Sequence, residues 1–285
     1  MAPGLEVAFQ KLEQNAIDIP SFASKEPTIT ITSVPSTPPT PAEGNAPSDH
    51  TLVLNPSFIT QEFDLLRFEA AAFEQLPKTS TSDSASQEIT TNTTISTSPA
   101  YSSHLISSPY NNPGHYLDLT TLPLPSLLFA KALTALKPTT PTYATAPYTE
   151  ALNFDTVLSV LRSLLASYPD YIYPETSFYV VTFRSQLLPT TDNTYLYQLD
   201  YESHREACES GGLLKYWFGK SDDEHRNLAT CFWHSREDAH RGGTGPWHVK
   251  ARKAGRELYE KIVFGTLRFT VEEGAKGWRV GEWMG

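Results

Sequence analysis

Residues 210–260 read SGGLLKYWFGKSDDEHRNLATCFWHSREDAHRGGTGPWHVKARKAGRELYE, and this stretch decides the fold. Two short aromatic-rich runs, LLKYWF (213–218) and NLATCFW (227–233), flank a polar loop of the length that joins antiparallel neighbours, so they predict a hairpin. The loop contains Gly219-Lys220-Ser221. A phosphate loop is excluded there, because that pattern requires glycine where Leu214 stands and a helix where a strand follows. Directly after the second run, Ser235-Arg236-Glu237-Asp238 begins a helix: the serine oxygen can accept an orphan amide proton, and acidic residues suit the positive first turn. Glycines 242, 243 and 245 interrupt that helix, and Pro246 suits the first position of a restarted one. Trp247, Ala251, Ala254, Leu258 and Ile262 then recur on one stripe. Lys250, Arg252, Lys253 and Arg256 lie largely off it and read as a solvated helix face, with a nuclear-import signal as the alternative.

Working outward, residues 177–183 (SFYVVTF) are apolar on both faces, as in a strand covered on each side. Residues 195–210 bring Leu196, Leu199, Ser203 and Ala207 round at helical spacing and stop at Gly211-Gly212, where glycine relieves a left-handed cap. Downstream, residues 266–271 (TLRFTV) alternate, with Leu267, Phe269 and Val271 on one side, and 278–283 extend or cover that strand. The order is β-α-β-β-α-β, an α+β ferredoxin-like arrangement whose four-stranded sheet carries helices on one face. The other face needs a cover, supplied by N-terminal helices or by a second copy of the chain.

The rest of the chain is unevenly foldable. Residues 27–49, PTITITSVPSTPPTPAEGNAPSD, alternate proline with hydroxyl residues, and residues 1–50 predict a disordered acidic tail. Residues 51–77 predict a short ordered segment, because Phe63, Leu66, Ala70 and Phe73 form a helical stripe; Leu65 and Phe68 opposite it favour a packed structural helix over a partner-binding motif. Residues 78–115 lose all periodicity and read as a disordered linker or insertion. Residues 116–170 regain it, with Leu158, Leu161 and Leu165 on one face of FDTVLSVLRSLLA (154–166), and predict helices that pack on the core. Residues 171–285 are the ferredoxin-like domain.

Charge and cysteine content narrow the function. Residues 171–285 hold 15 Lys/Arg against 16 Asp/Glu and residues 1–170 hold 7 against 16, so net charges of −1 and −9 make up the −10 of the whole chain. No basic face is concentrated enough to collect phosphates, which excludes nucleic acid as the expected partner. The start, MAPGLEVAFQKLEQ, lacks a basic region followed by an apolar one, and nowhere do 18 apolar residues run together, so neither a signal peptide nor a membrane span is expected. Two cysteines, Cys208 and Cys231, fit a reduced cytoplasmic protein, with nuclear residence as the alternative; Cys231, within a strand, reads as a small hydrophobe.

The spacing of His204, His225, His234, His240 and His248 fits no standard zinc site, so no metal is predicted. His204, within a helix, and His248, in the first turn after Pro246, are the candidate catalytic residues, as haem ligand or base, against hydrogen-bonded structure. Tyr179, Tyr216, Trp217, Phe232 and Trp233, with Arg236 at the strand end, are the candidate ligand pocket, since strand aromatics line cavities as well as filling cores.

The segments SGGLLKYWFG (210–219) and 227–260 also resemble an uncharacterised protein family found in fungi. The Trp-x-Ser-x-Glu-Asp pattern of Trp233, Ser235, Glu237 and Asp238, followed by a helix bearing His248, resembles dimeric α/β-barrel proteins of the antibiotic-biosynthesis-monooxygenase type. That resemblance implies a homodimer whose open sheet faces meet around a small apolar pocket, where some relatives bind haem or oxidise aromatic substrates. No complete catalytic set matches. The preferred reading is therefore a small apolar ligand site or a dimerising domain; the alternatives are a haem-dependent or cofactor-free oxidative enzyme and a protein-interaction module.

Overall fold

The computed structural model describes residues 75–77, 101–110 and 113–284, all within the compact unit His50–Gly285. Its main sheet starts at β4 (Thr176–Leu187), in which Phe178, Val180 and Thr182 point to one face and Tyr179, Val181 and Phe183 to the other. Helix α4 (Asn193–Ser210) opens on Asp192, whose carboxylate accepts from the Thr194 and Tyr195 amides at 2.9 and 3.1 Å, and closes on Gly211 at φ 83°. Strands β5 (Leu213–Phe218) and β6 (Arg226–Trp233) form the expected hairpin. Ser235 then caps α5 (Arg236–Gly242), its hydroxyl oxygen accepting from the Asp238 amide at 3.1 Å. Helix α6 (Pro246–Leu258) begins on the proline. Strands β7 (Tyr259–Val271) and β8 (Trp278–Glu282) complete a five-stranded antiparallel sheet of order β5-β6-β4-β7-β8.

Without β8, that is the ferredoxin-like order, with both crossover helices on one face. One boundary differs from the sequence expectation. β7 starts at Tyr259, and Ile262 belongs to the strand rather than to the helix stripe, because β4 runs to Leu187 and its ladder with β7 continues to Tyr259.

The second face is covered by the chain itself. Helices α1 (Leu124–Ala132), α2 (Tyr148–Ala151) and α3 (Phe154–Leu165) precede the domain in sequence. Phe129 stacks on Phe178 with centroids 4.3 Å apart and on Phe269 at 5.6 Å, while Phe154 lies 5.0 Å from Phe269. Leu128, Leu158 and Leu161 are buried in the same core, each such side chain contributing about 1.5–3 kcal/mol. Arg184 reaches up from β4 and donates to the carbonyls of Tyr143, Ala144 and Ala146, tying down the loop between α1 and α2. Tyr143 in turn packs against Gly219, where an added Cβ would overlap its ring edge and hydroxyl, so the hairpin loop needs glycine for close approach. The face that two copies would share in a barrel is thus filled by α1 and α3.

A smaller sheet joins β1 (Gln75–Pro77), β2 (Tyr101–Ile106) and β3 (Tyr116–Asp118). Strand β2 falls inside the span that the sequence reading assigns to a linker, and β1 at the end of the expected helix segment. The expected helix over 60–75, apart from Gln75, and the tail 1–50 lie outside the described residues. Beyond β2, the Ser107 carbonyl accepts from the Tyr216 amide at 2.9 Å, so this segment closes the free edge of β5.

Candidate functional site

Helix α4 turns a stripe of unusual chemistry toward β5 and the segment after β2. Asp200, His204, Ala207 and Cys208 recur at three- and four-residue spacing and therefore share a face. Opposite them, β5 presents Tyr216, and the residues between β2 and β3 contribute Tyr110 and His115. Tyr110 and Tyr216 both donate to the Asp200 carboxylate, the second at 2.5 Å from hydroxyl to Oδ1. One carboxylate thus holds two phenols from different parts of the chain.

Beside it stand two imidazoles. His115 and His204 are buried, with ring planes 4° from parallel and Nδ1 atoms 2.8 Å apart. One nitrogen must donate and the other accept, so the pair holds a single shared proton between the rings in its neutral state. Burial pushes the His115 imidazolium down to about 4, with the Arg205 charge adding to it; burial and the neighbouring His115 hold His204 well below the ordinary range. The Cys208 thiol sits 3.7 Å from His204 Nε2. If His115 donates, His204 Nε2–H faces that sulfur and His115 Nε2 carries a bare lone pair. The reverse arrangement would seal an unpaired N–H, the costlier orphan.

The rings are walled by aromatics. Tyr201 lies 4.1 Å from His115, Tyr110 5.1 Å from both histidines, and Tyr216 stacks on His204 at 5.3 Å. Two polar atoms carried by these elements, His115 Nε2 and Ser203 Oγ, are sealed from solvent with no hydrogen-bond partner among the described residues, as is Ser107 Oγ. Native proteins leave few such atoms.

The sequence candidates divide. His204 and Tyr216 lie in this cluster. Tyr179 and Trp233 share the same sheet face but pack further along it, Tyr179 against Trp283 at 4.9 Å with Arg236 beside its hydroxyl. Trp217 and Phe232 point to the opposite face, into the core under α1 and α3. His248 is bound into the start of α6: its Nδ1 lies 3.0 Å from Glu206, whose carboxylate also accepts from the Trp247 and His248 amides at 2.7 and 3.1 Å. His204 does not fit haem ligation, since its ring nitrogens face His115 and Cys208. Sequence reasoning missed Tyr110 and His115, which sit in a stretch without periodicity. Asp200 carried a usable signal, an acid one helical turn before His204.

Residues 106–282 match the family described as PB2B2.08-like. The UPF0643 protein PB2B2.08 of Schizosaccharomyces pombe is 37% identical over 179 residues, 60% of this chain and 81% of that protein. Among solved structures, Rv0793 from Mycobacterium tuberculosis is 18% identical, covering 32% of this chain and 92% of its own, with a TM-score of 0.29. A mutant of SnoaB, a cofactor-independent oxygenase from Streptomyces nogalater, is 12% identical, covering 31% and 89%, with a TM-score of 0.28. At these scores the likenesses carry no argument, and the fold stands on its strand order. Among the described residues no helix is long and apolar enough to cross a membrane.

Proposed function

We propose, for a chain that belongs to the PB2B2.08-like family, that the ferredoxin-like domain binds a small, mainly apolar molecule between α4, β5, Tyr110 and His115. One observation carries this reading: His115 Nε2 is sealed and, among the described residues, unpartnered, amid the rings of Tyr110, Tyr201 and His204. A ligand with an aromatic body and one polar group would stack on those rings and satisfy that nitrogen. Binding occurs within one chain, because α1 and α3 already cover the face a partner copy would need. Residence in the cytoplasm or nucleus belongs to the same proposal.

A second reading follows from the neutral imidazoles. A bare lone pair on His115 can take a proton from an acidic hydroxyl or C–H of the bound molecule, with His204 accepting the hydrogen bond from the far side of the ring. Such a step leaves an electron-rich anion, which dioxygen as the electron acceptor could oxidise without a cofactor. The Tyr110–Asp200–Tyr216 set would position the substrate.

The test uses 2-naphthol, a fluorescent aromatic probe with an acidic hydroxyl, titrated into the full chain. Wild type is expected to bind it, and His115→Phe and Tyr216→Ala to bind at least about tenfold more weakly, the equivalent of one lost hydrogen bond of about 1.4 kcal/mol. Equal affinity in all three chains would sink the placement of the site.

A further inference from the structure

Lys215 stands next to Tyr216 in β5 but points to the opposite face of the sheet. It pairs with Phe232 across the hairpin and shares its face with Trp217. Both aromatics belong to the core that α1 and α3 cover. The lysine is 2% exposed, buried to the degree of the phenylalanines around it. Fully buried lysines are rare unless paired. Among the described residues no carboxylate forms an ion pair with Lys215 and no hydrogen bond holds its amine; the ion pairs found there use other cations, such as Arg205, Arg226, Arg241 and Arg279.

A lysine that merely lays its stem on an apolar surface keeps its ammonium head in water, with far more than this exposure. The Lys215 amine has no hydrogen-bond or ion-pair partner among the described residues, and the residue keeps 2% of its surface exposed. An apolar setting without a counter-charge favours the neutral amine, and burial lowers the group to about 7.

We propose that Lys215 is a covalent capture site for a small apolar aldehyde or ketone. The Nζ lone pair adds to the carbonyl carbon, the carbonyl electron pair moves to oxygen, and the oxygen departs as water with the two amine protons, leaving a C=N bond. Amine plus carbonyl gives imine plus water, with no oxidant or reductant. Capture of carbon dioxide fits less well, because a carbamate would add an anion where no cation or donor faces it. An imine adds no charge, and its apolar body meets Trp217 and Phe232. This site is independent of the aromatic cluster on the other face, so failure of one leaves the other standing.

The experiment treats the full chain with benzaldehyde and sodium cyanoborohydride at pH 7.4, which reduces any imine to a stable benzyl adduct, and maps the adducts by peptide mass. Lys253 and Lys261, exposed on α6 and β7, serve as internal standards. At this pH an amine titrating near 7 is mostly neutral, whereas an ordinary lysine is neutral in about one part in a thousand. After allowing for restricted access, Lys215 is expected to gain at least about tenfold more adduct than either standard, with a rate half-maximal near pH 7. Lys215→Met, which fills the same apolar space, should remove this adduct and leave the standards unchanged. Labelling of Lys215 equal to or below that of the standards, or a rate that rises only above pH 9, would overturn the proposal.

Discussion

Acidification puts the buried imidazole pair under direct test. An unfolded histidine titrates near 6.5, and folded His115 is held down to about 4. Between those values the unfolded chain binds more protons than the folded one. The stability contributed by neutral His115 is therefore complete above pH 6.5 and is lost as pH falls toward 4. At pH 5, relative to pH 8, the loss for His115 amounts to about 2 kcal/mol. His204 is depressed in the same direction, but its Nδ1 lies 2.8 Å from that of His115. One added proton would repel a second, so the folded pair stays unprotonated down to about 4 while both histidines of the unfolded chain charge below 6.5, and the limiting slope between those values is about 2.7 kcal/mol per pH unit. His248, also depressed by burial, adds a smaller share. The assay is urea unfolding followed by tryptophan fluorescence at pH 8, 7, 6 and 5, where most carboxylates stay ionised. His115→Asn combined with His204→Gln should cut the slope to the remainder from His248. A wild-type stability flat across this range, or a double variant with an undiminished slope, would refute the buried neutral pair.

Three further outcomes follow from the packing. Phe129→Ala removes a ring stacked on Phe178 and Phe269 and should cost about 3–5 kcal/mol by urea unfolding, in one cooperative transition; a loss under 1 kcal/mol would mean that α1 is not part of the core. Glu206→Ala deprives the start of α6 of its acceptor for two amides and the His248 ring, costing about 1–2 kcal/mol, with faster amide exchange confined to 246–250. With α1 and α3 on the sheet face, the full chain should run as a monomer in light scattering across a hundredfold concentration range. A dimer that exposes 124–165 to hydrogen exchange would contradict that arrangement.

Elements whose signals are local were legible in the sequence. The hairpin, the Ser235 cap, the Pro246 restart and the Gly211 stop each follow from a few adjacent residues, and the strand order followed from placing them in sequence. What was not legible depends on distant partners. Strand β2 gains its register from β1 and β3, and the YSSHLI run that forms it carries too little alternation to stand out. Tyr110 and His115 acquire meaning only where α4 crosses them, some 90 residues along the chain. The split of the aromatic set between two faces was within reach, since strand residues alternate; Trp217 and Tyr216 could not have lined one cavity. Whether the open face meets helices or a second copy was not decidable from periodicity, because both would bury the same side chains.

The cover over that face has a temporal side as well. A ribosome delivers α1, α2 and α3 before any strand of the main sheet, so Phe129 emerges about 50 residues ahead of Phe178 in β4 and more than a hundred ahead of Phe269 in β7, the two rings it stacks on. During synthesis Phe129, Phe154 and Leu161 must wait exposed, at speeds of roughly 5–20 residues per second. That interval, rather than the finished structure, is when the chain is open to aggregation or to a chaperone.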